Sequence, residues 1–129
     1  MPDDLFLDRK KRVLIIDDQP FMLKLIQFNL KKHGYDTVTE VNGLKALTSI
    51  EEISPDLIIL DIRMPNITGT DLCRKFRENK QTANIPIIML TGQLPEDSEN
   101  ESLESGATDF MTKPFSPTEL AAKVKHYIG

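Results

Sequence analysis

Apolar residues fall in solid short blocks along this chain, and stretches of helical spacing lie between them. The first block, RVLIID (12–17), is β-branched and unbroken, which suits a strand covered on both faces of a parallel sheet. Pro20 follows where a first helical turn tolerates proline. Residues 21–32 then carry apolar positions at helical spacing, Met22, Leu25, Ile26 and Leu30, with Gly34 as the stop. The alternation repeats. YDTVTE (35–40) has the period of a more exposed strand, and Asn42-Gly43 leads into a second helix over 44–51. DLIILD (56–61) is the most hydrophobic strand, and the loop IRMPNITG precedes a third helix over about 70–78 with Leu72, Cys73 and Phe76 inward. IPIIML (85–90) and the weaker ATDFM (107–111) complete five strands. Ser116 caps a last helix over 117–128, with Leu120, Val124 and Tyr127 or Ile128 inward.

Strands alternating with helices predict an α/β fold, a doubly wound parallel sheet of five strands with five helices, because right-handed crossovers place helices on both faces. In such sheets ligands bind beyond the carboxyl ends of the strands. That edge is where the chemistry collects. The first strand ends in Asp17-Asp18 and the third in Asp61; the fourth ends at Thr91-Gly92 and the fifth runs into Lys113. Clustered carboxylates repel one another unless a cation sits among them, and a hard divalent ion with oxygen ligands, Mg²⁺ above all, suits them. One carboxylate can then act as a nucleophile toward phosphorus, with Lys113 and Thr91 to neutralise and position the phosphoryl oxygens. Neither His33, at a helix end, nor His126, within the last helix, fits a general base. Each motif alone has a plain structural reading. Asp17-Asp18 can be a strand's exit into solvent, MPNITG and Thr91-Gly92 turn chemistry, KPF a helix entry, and Phe110, Met64 and Cys73 packing.

Composition narrows the class. A chain of 129 residues with 40% apolar and 28% charged residues is sized and balanced for one soluble domain. The formal charge of −4, with scattered bases, argues against a nucleic-acid surface. A lone Cys73 forms no internal disulfide, and no leader or membrane span is evident, so the cytoplasm is expected. Residues 1–11 read as a flexible N-terminal extension and 12–129 as the domain. With the last helix ending near Gly129, a stand-alone domain is the simplest expectation, a piece of a longer regulator the other.

IIDDQP, LDIRMPNITG, MLTG and SGATDFMTKPF, in this order and spacing, resemble the receiver domain of two-component response regulators, over nearly the whole chain. The resemblance implies a CheY-like, flavodoxin-like sheet of order 2-1-3-4-5 and a role in signal transduction or phosphorelay. It further implies that Asp61 is the phosphoacceptor, taking a phosphoryl group from a phosphohistidine of a sensor histidine kinase or phosphotransfer protein. Asp17, Asp18, Asp61 and the main-chain carbonyl of Arg63 would hold Mg²⁺, Lys113 would pair with the phosphoryl group, and the Lys113-Pro114 bond would be cis. Thr91 and Phe110 would switch together and alter the face of the fourth helix, fifth strand and fifth helix, where a downstream protein docks. No direct nucleic-acid or membrane contact is implied, and the expected state is a monomer or a weak phosphorylation-dependent dimer. Such a module catalyses only its own phosphorylation and slow dephosphorylation.

Departures from the family pattern carry information. Phe110 stands where tyrosine is frequent, so its two states differ by packing alone. Arg63 and Gln93, at positions that vary, are expected to set the lifetime of the phosphorylated form. Residues 93–106 hold five acids and no base, with Leu94 and Leu103 the only large apolar residues; a short, mobile fourth helix with an acidic face for a basic partner is expected, and a dimer through that face is disfavoured. The alternative function is a Mg²⁺-dependent phosphohydrolase working through an aspartyl phosphate. Such enzymes usually place a second acid where Arg63 stands and carry a cap. A flavin carrier of the same fold class would need a phosphate loop after the first strand, which the sequence lacks.

Overall fold

Successive strand residues point to opposite faces, so an all-apolar block is stable only where both faces are covered. The computed structural model describes residues 10–92 and 95–129, side chains at 95–99 excepted; the extension up to residue 9, Gln93 and Leu94 therefore lie outside the described residues. Five strands, β1 (Arg12–Ile16), β2 (Asp36–Glu40), β3 (Leu57–Asp61), β4 (Ile87–Thr91) and β5 (Asp109–Thr112), pair in parallel in the order β2-β1-β3-β4-β5. Six helices surround them: α1 (Pro20–Lys32), α2 (Gly43–Thr48), α3 (Ile50–Ile53), α4 (Gly69–Glu78), α5 (Pro95–Ser105) and α6 (Pro117–Ile128).

Parity divides the core. Val13, Ile15, Leu57, Ile59, Ile88 and Leu90 join α1 and α6 in one cluster. Their neighbours Leu14, Ile16, Ile58, Leu60, Ile87 and Met89 join α2, α3 and α4 in the other. The sheet is thus doubly wound, as the alternation of the sequence predicts, and the carboxyl ends of β1, β3 and β4 form one rim. Local signals hold: Pro20 opens α1 and Gly34 leaves it at φ +92°. Asn42, Thr68 and Ser116 accept the amides of Lys45, Asp71 and Glu119 as N-caps.

Three expectations change. The inward stripe of α1 is Leu23, Ile26 and Leu30, with Met22 partly buried, whereas Leu25 is 38% exposed. The helix has a second apolar stripe on its outer face, Phe21, Leu25 and Phe28, so periodicity alone left its rotation open. The second helix breaks into α2 and α3 at Ser49, whose amide bonds the Lys45 carbonyl, an oxygen that also accepts the Thr48 hydroxyl. Side-chain competition of this kind weakens helix interiors. The fourth predicted helix, α5, spans eleven residues rather than being short. Among its described side chains Ser102 and Ser105 point inward, and Leu103 is 57% exposed.

Arg77, near the end of α4, staples this side of the sheet. Its guanidinium donates to the carbonyls of Gly106 (2.8 Å), Thr82 (3.1 Å), Ala83 (3.2 Å) and Ile85 (2.6 Å), and to the Thr108 hydroxyl (3.2 Å). One side chain thereby joins α4 to the approach to β4 and to the α5–β5 turn. Arg77→Met keeps the stem and removes the donors, and urea unfolding should show a loss of about 2–3 kcal/mol. An unchanged midpoint would mean that water satisfies those carbonyls equally well.

Candidate acidic site at the sheet rim

β1 and β3 are direct neighbours, with Ile16 opposite Leu60, so the residues that follow them meet. Asp17 is wholly buried, Asp61 is 5% exposed and Asp18 is exposed. Carboxylate oxygens of all three lie within 4.8 Å of one another. Lys113, just beyond β5, reaches over the rim to Asp61 Oδ1 at 3.3 Å and Asp17 Oδ2 at 3.4 Å. Its amide donates to the Thr91 carbonyl at 2.6 Å, and the Lys113-Pro114 bond is cis. Thr91 is buried at the end of β4, opposite Thr112 of β5. Phe110, opposite Met89, is half-buried against the second core cluster.

Backbone geometry fixes the two buried acids. The Gln19 amide donates to Asp17 Oδ1 at 2.9 Å, a side-chain turn that ends the strand and delivers Pro20 to the helix. The Arg63 amide bonds the Asp61 carboxylate. Burial raises both acids above the ordinary carboxylate range. For Asp17 the Gln19 amide and Lys113 oppose that rise and Asp18 adds to it. Asp61 is pushed up to about 6, first by burial and then by the Asp17 charge, against the pull of Lys113 and the Arg63 amide. Three carboxylates against one ammonium leave the rim two negative charges in excess when all are ionised, and two of these acids are out of water. An oxygen-only donor set with that imbalance fits a hard divalent cation.

Of the residues singled out by sequence, Asp17, Asp18, Asp61 and Lys113 are in mutual reach, and Thr91 is tied to Lys113 through its carbonyl. Arg63 takes part through its amide. Gln93 lies outside the described residues. Gly69, which sequence reasoning treated as ordinary loop punctuation, is a structural requirement. A Cβ there would stand 2.6 Å from Ile62 Cα and 2.9 Å from Asp61 C, because the first turn of α4 rests on the backbone carrying Asp61. The Gly69 amide also donates to the Ile62 carbonyl at 2.7 Å. Gly69→Ala should cost about 1–3 kcal/mol by thermal or urea unfolding and shift the Asp61 resonances. A variant as stable as the parent with Asp61 unmoved would show that the helix yields freely. Only the helix–strand approach explains why this position needs a glycine.

A doubly wound α/β protein with a carboxylate cluster and a lysine at its strand ends is the class these observations define. Residues 13–125 match the family described as the response regulator receiver domain, and the chain belongs to that family. Curated relatives include the alkaline phosphatase synthesis transcriptional regulatory protein PhoP of Bacillus subtilis, 43% identical over 89% of this chain and 47% of its own. The DNA-binding response regulator MtrA of Mycobacterium tuberculosis is 37% identical over 90% of this chain and 50% of its own. The chain thus spans about half the length of the curated relatives it matches. Among solved structures, chemotaxis protein CheY4 of Vibrio cholerae superposes with a TM-score of 0.87 at 29% identity, covering 93% of this chain and all of that one. The receiver domain of sensor histidine kinase PA1611 of Pseudomonas aeruginosa, described with a magnesium ion coordinated in its active site cleft, gives 0.85 at 28% identity, covering 94% and 99%. The chain is a receiver of two-component signalling, a class whose partners are kinases or phosphotransfer proteins. The expectation of no nucleic-acid contact draws no support from relatives named as DNA-binding regulators. Among the described residues no helix is long and apolar enough to cross a membrane.

Proposed function

We propose that Asp61 accepts a phosphoryl group from a phosphohistidine and that the acyl phosphate so formed switches protein–protein contacts. The observation that carries this reading is the pair of buried carboxylates, Asp17 and Asp61, bridged by Lys113 at the strand ends. An Asp61 oxygen attacks phosphorus, the P–N bond breaks, and the departing imidazole nitrogen keeps the electron pair. Lys113 holds Asp61 in place beforehand and then faces the added negative charge. The Arg63 amide orients the other side of the carboxylate. Asp17, Asp18 and Asp61 fit as the side chains that would hold Mg²⁺, with the Arg63 carbonyl as a further donor; when bound, the ion neutralises phosphoryl oxygens as a Lewis acid. Water attack on the acyl phosphate then resets the module slowly, so it turns over on itself rather than on a substrate pool.

Thr91 and Phe110 are the proposed switch, on adjacent strands beside Asp61. The face they would alter comprises α5, β5 and α6, and we assign the downstream protein to it, with the acids of α5 suited to a basic partner. Slow amide exchange throughout α5 in the unphosphorylated protein would count against a mobile helix there. Arg63 and Gln93 are proposed to tune the lifetime of the acyl phosphate, and replacing both without changing the dephosphorylation rate would remove that assignment. A cytoplasmic location accords with the kinase class of partner.

Acetyl phosphate and Mg²⁺ test the central reading. One acid-stable, hydroxylamine-sensitive phosphoryl group per chain, absent from Asp61→Ala, is expected. Rapid hydrolysis of excess phosphodonor over many turnovers would instead favour the phosphohydrolase alternative, and labelling that survives in Asp61→Ala would overturn the assignment of the nucleophile.

A further inference from the structure

On the side of α1 turned away from the sheet, Phe21 is 76% exposed, Phe28 71% and Leu25 38%. At about 100° per residue the three fall on one stripe, opposite the buried Leu23, Ile26 and Leu30. Lys32 continues that stripe one turn beyond Phe28. Two aromatic rings left in water on one helix face form an apolar patch of the kind that marks a contact surface. Charge frames the patch. Lys24 and Lys31 stand along one edge of it, and α1 carries no acid. Among the described residues no carboxylate pairs with Lys24, Lys31 or Lys32. The acids that bracket the helix in sequence are engaged elsewhere, Asp18 in the carboxylate cluster and Asp36 with Arg12 at 2.8 Å.

Such a face suits an occupant that is apolar in the middle and acidic at its ends. A second copy through the same face does not qualify, because a two-fold contact sets these lysines against their own counterparts. The chain itself carries the matching pattern. Residues 3–8 read DDLFLD, with Leu5, Phe6 and Leu7 between Asp3-Asp4 and Asp8 and no base within the run. The exit point is favourable as well. The Lys11 carbonyl accepts the Asp36 amide at 2.9 Å, and the Tyr35 amide bonds the Leu30 carbonyl at 3.1 Å, so the chain enters β1 beside the last turn of α1. Lys10 and Lys11 add to the positive charge at that end. About five residues, ~17 Å of extended chain, separate Lys11 from Phe6, and Phe28 lies only ~6 Å along the helix axis from Lys32.

We propose that residues 3–8 dock on the outer face of α1, with Leu5, Phe6 and Leu7 covering Phe28 and Leu25 and the flanking acids meeting Lys24, Lys31 and Lys32. The segment is then a built-in cover, and this helix face is open to another protein only when the cover lets go. The contact does not depend on the phosphoryl-transfer reading.

Nuclear Overhauser spectra of the full 129-residue chain test it. Contacts from the Phe6 ring or the Leu5 and Leu7 methyls to Phe28 or Leu25 are expected. Phe6→Ser should erase them and shift the amides of residues 25–32, while the amides of β1 and β3 stay in place and show that the fold is kept. Lys31→Glu combined with Lys32→Glu, or ~0.5 M NaCl, should weaken the same contacts severalfold, since exposed charges are screened by salt. A mixture of isotope-labelled and unlabelled chains separates contacts within one chain from contacts between two. Absence of contacts between residues 5–7 and α1 would overturn the proposal. So would contacts found only between different chains, α1 amides indifferent to Phe6→Ser, or contacts that survive both charge reversal and salt undiminished.

Discussion

Asp61→Asn should abolish phosphorylation by small phosphodonors and, in chelator-treated buffer, make the protein more stable at pH 7.5 than the parent. The second effect follows from the raised pKa of Asp61, about 6 against an ordinary 3.8. Between those values the folded state binds more protons than the unfolded one, so the parent loses stability as pH rises through that window. Above pH 6 the whole penalty remains, with a ceiling of about 3 kcal/mol for a shift of about two units. Asparagine keeps the shape and carries no charge against Asp17, so its contribution stays flat with pH. Asp17, also raised by burial, contributes in the same direction in both proteins and becomes easier to ionise once its charged neighbour is gone. Urea unfolding at pH 4.5 and 7.5 checks this: the advantage of the variant should be largest at the higher pH and shrink toward the lower. An advantage independent of pH would place its origin in packing rather than charge.

The second large effect concerns magnesium. Adding Mg²⁺ near neutral pH should stabilise the parent, since an ion that binds only the folded state contributes RT ln(1 + [L]/Kd), about 2.7 kcal/mol at one hundred times Kd. Asp17→Asn should weaken Mg²⁺ by about a hundredfold or more, because it deletes a wholly buried donor that the fold holds in place with the Gln19 amide. Asp18→Asn, at an exposed acid, should weaken it less. Melting temperatures at graded Mg²⁺ report both. If Asp17→Asn retains the full magnesium-dependent rise, the ion's seat is elsewhere. Lys113→Ala separates charge balance from ligation: it removes the ammonium that bridges Asp17 and Asp61 and should tighten Mg²⁺ while slowing phosphorylation.

What could be read from the chain beforehand was set by how much freedom each element had. Residues 13–16 and 57–60 are apolar at every position, and such blocks have few homes other than the middle of a two-sided parallel sheet. Their terminal acids could then be placed on one edge without any knowledge of distances. The same logic fails for α1, where Leu25 and Leu23 compete for the interior and packing against the first core cluster decides. It fails for the second helix as well, since the break at Ser49 depends on which hydroxyl captures which carbonyl. Gly69 was invisible for another reason. Its function is to have no side chain where α4 meets the backbone of Asp61 and Ile62, a tertiary approach that leaves no pattern in sequence.

The ladder pairs Val13 with Leu57 and Ile15 with Ile59, which puts Asp17 and Asp61 on matching parity two residues further on. Deleting a single residue between Leu57 and Leu60 would therefore do more than shorten a strand. It would swing the terminal carboxylate to the opposite side of the sheet and leave a hydrophobic stub in its stead.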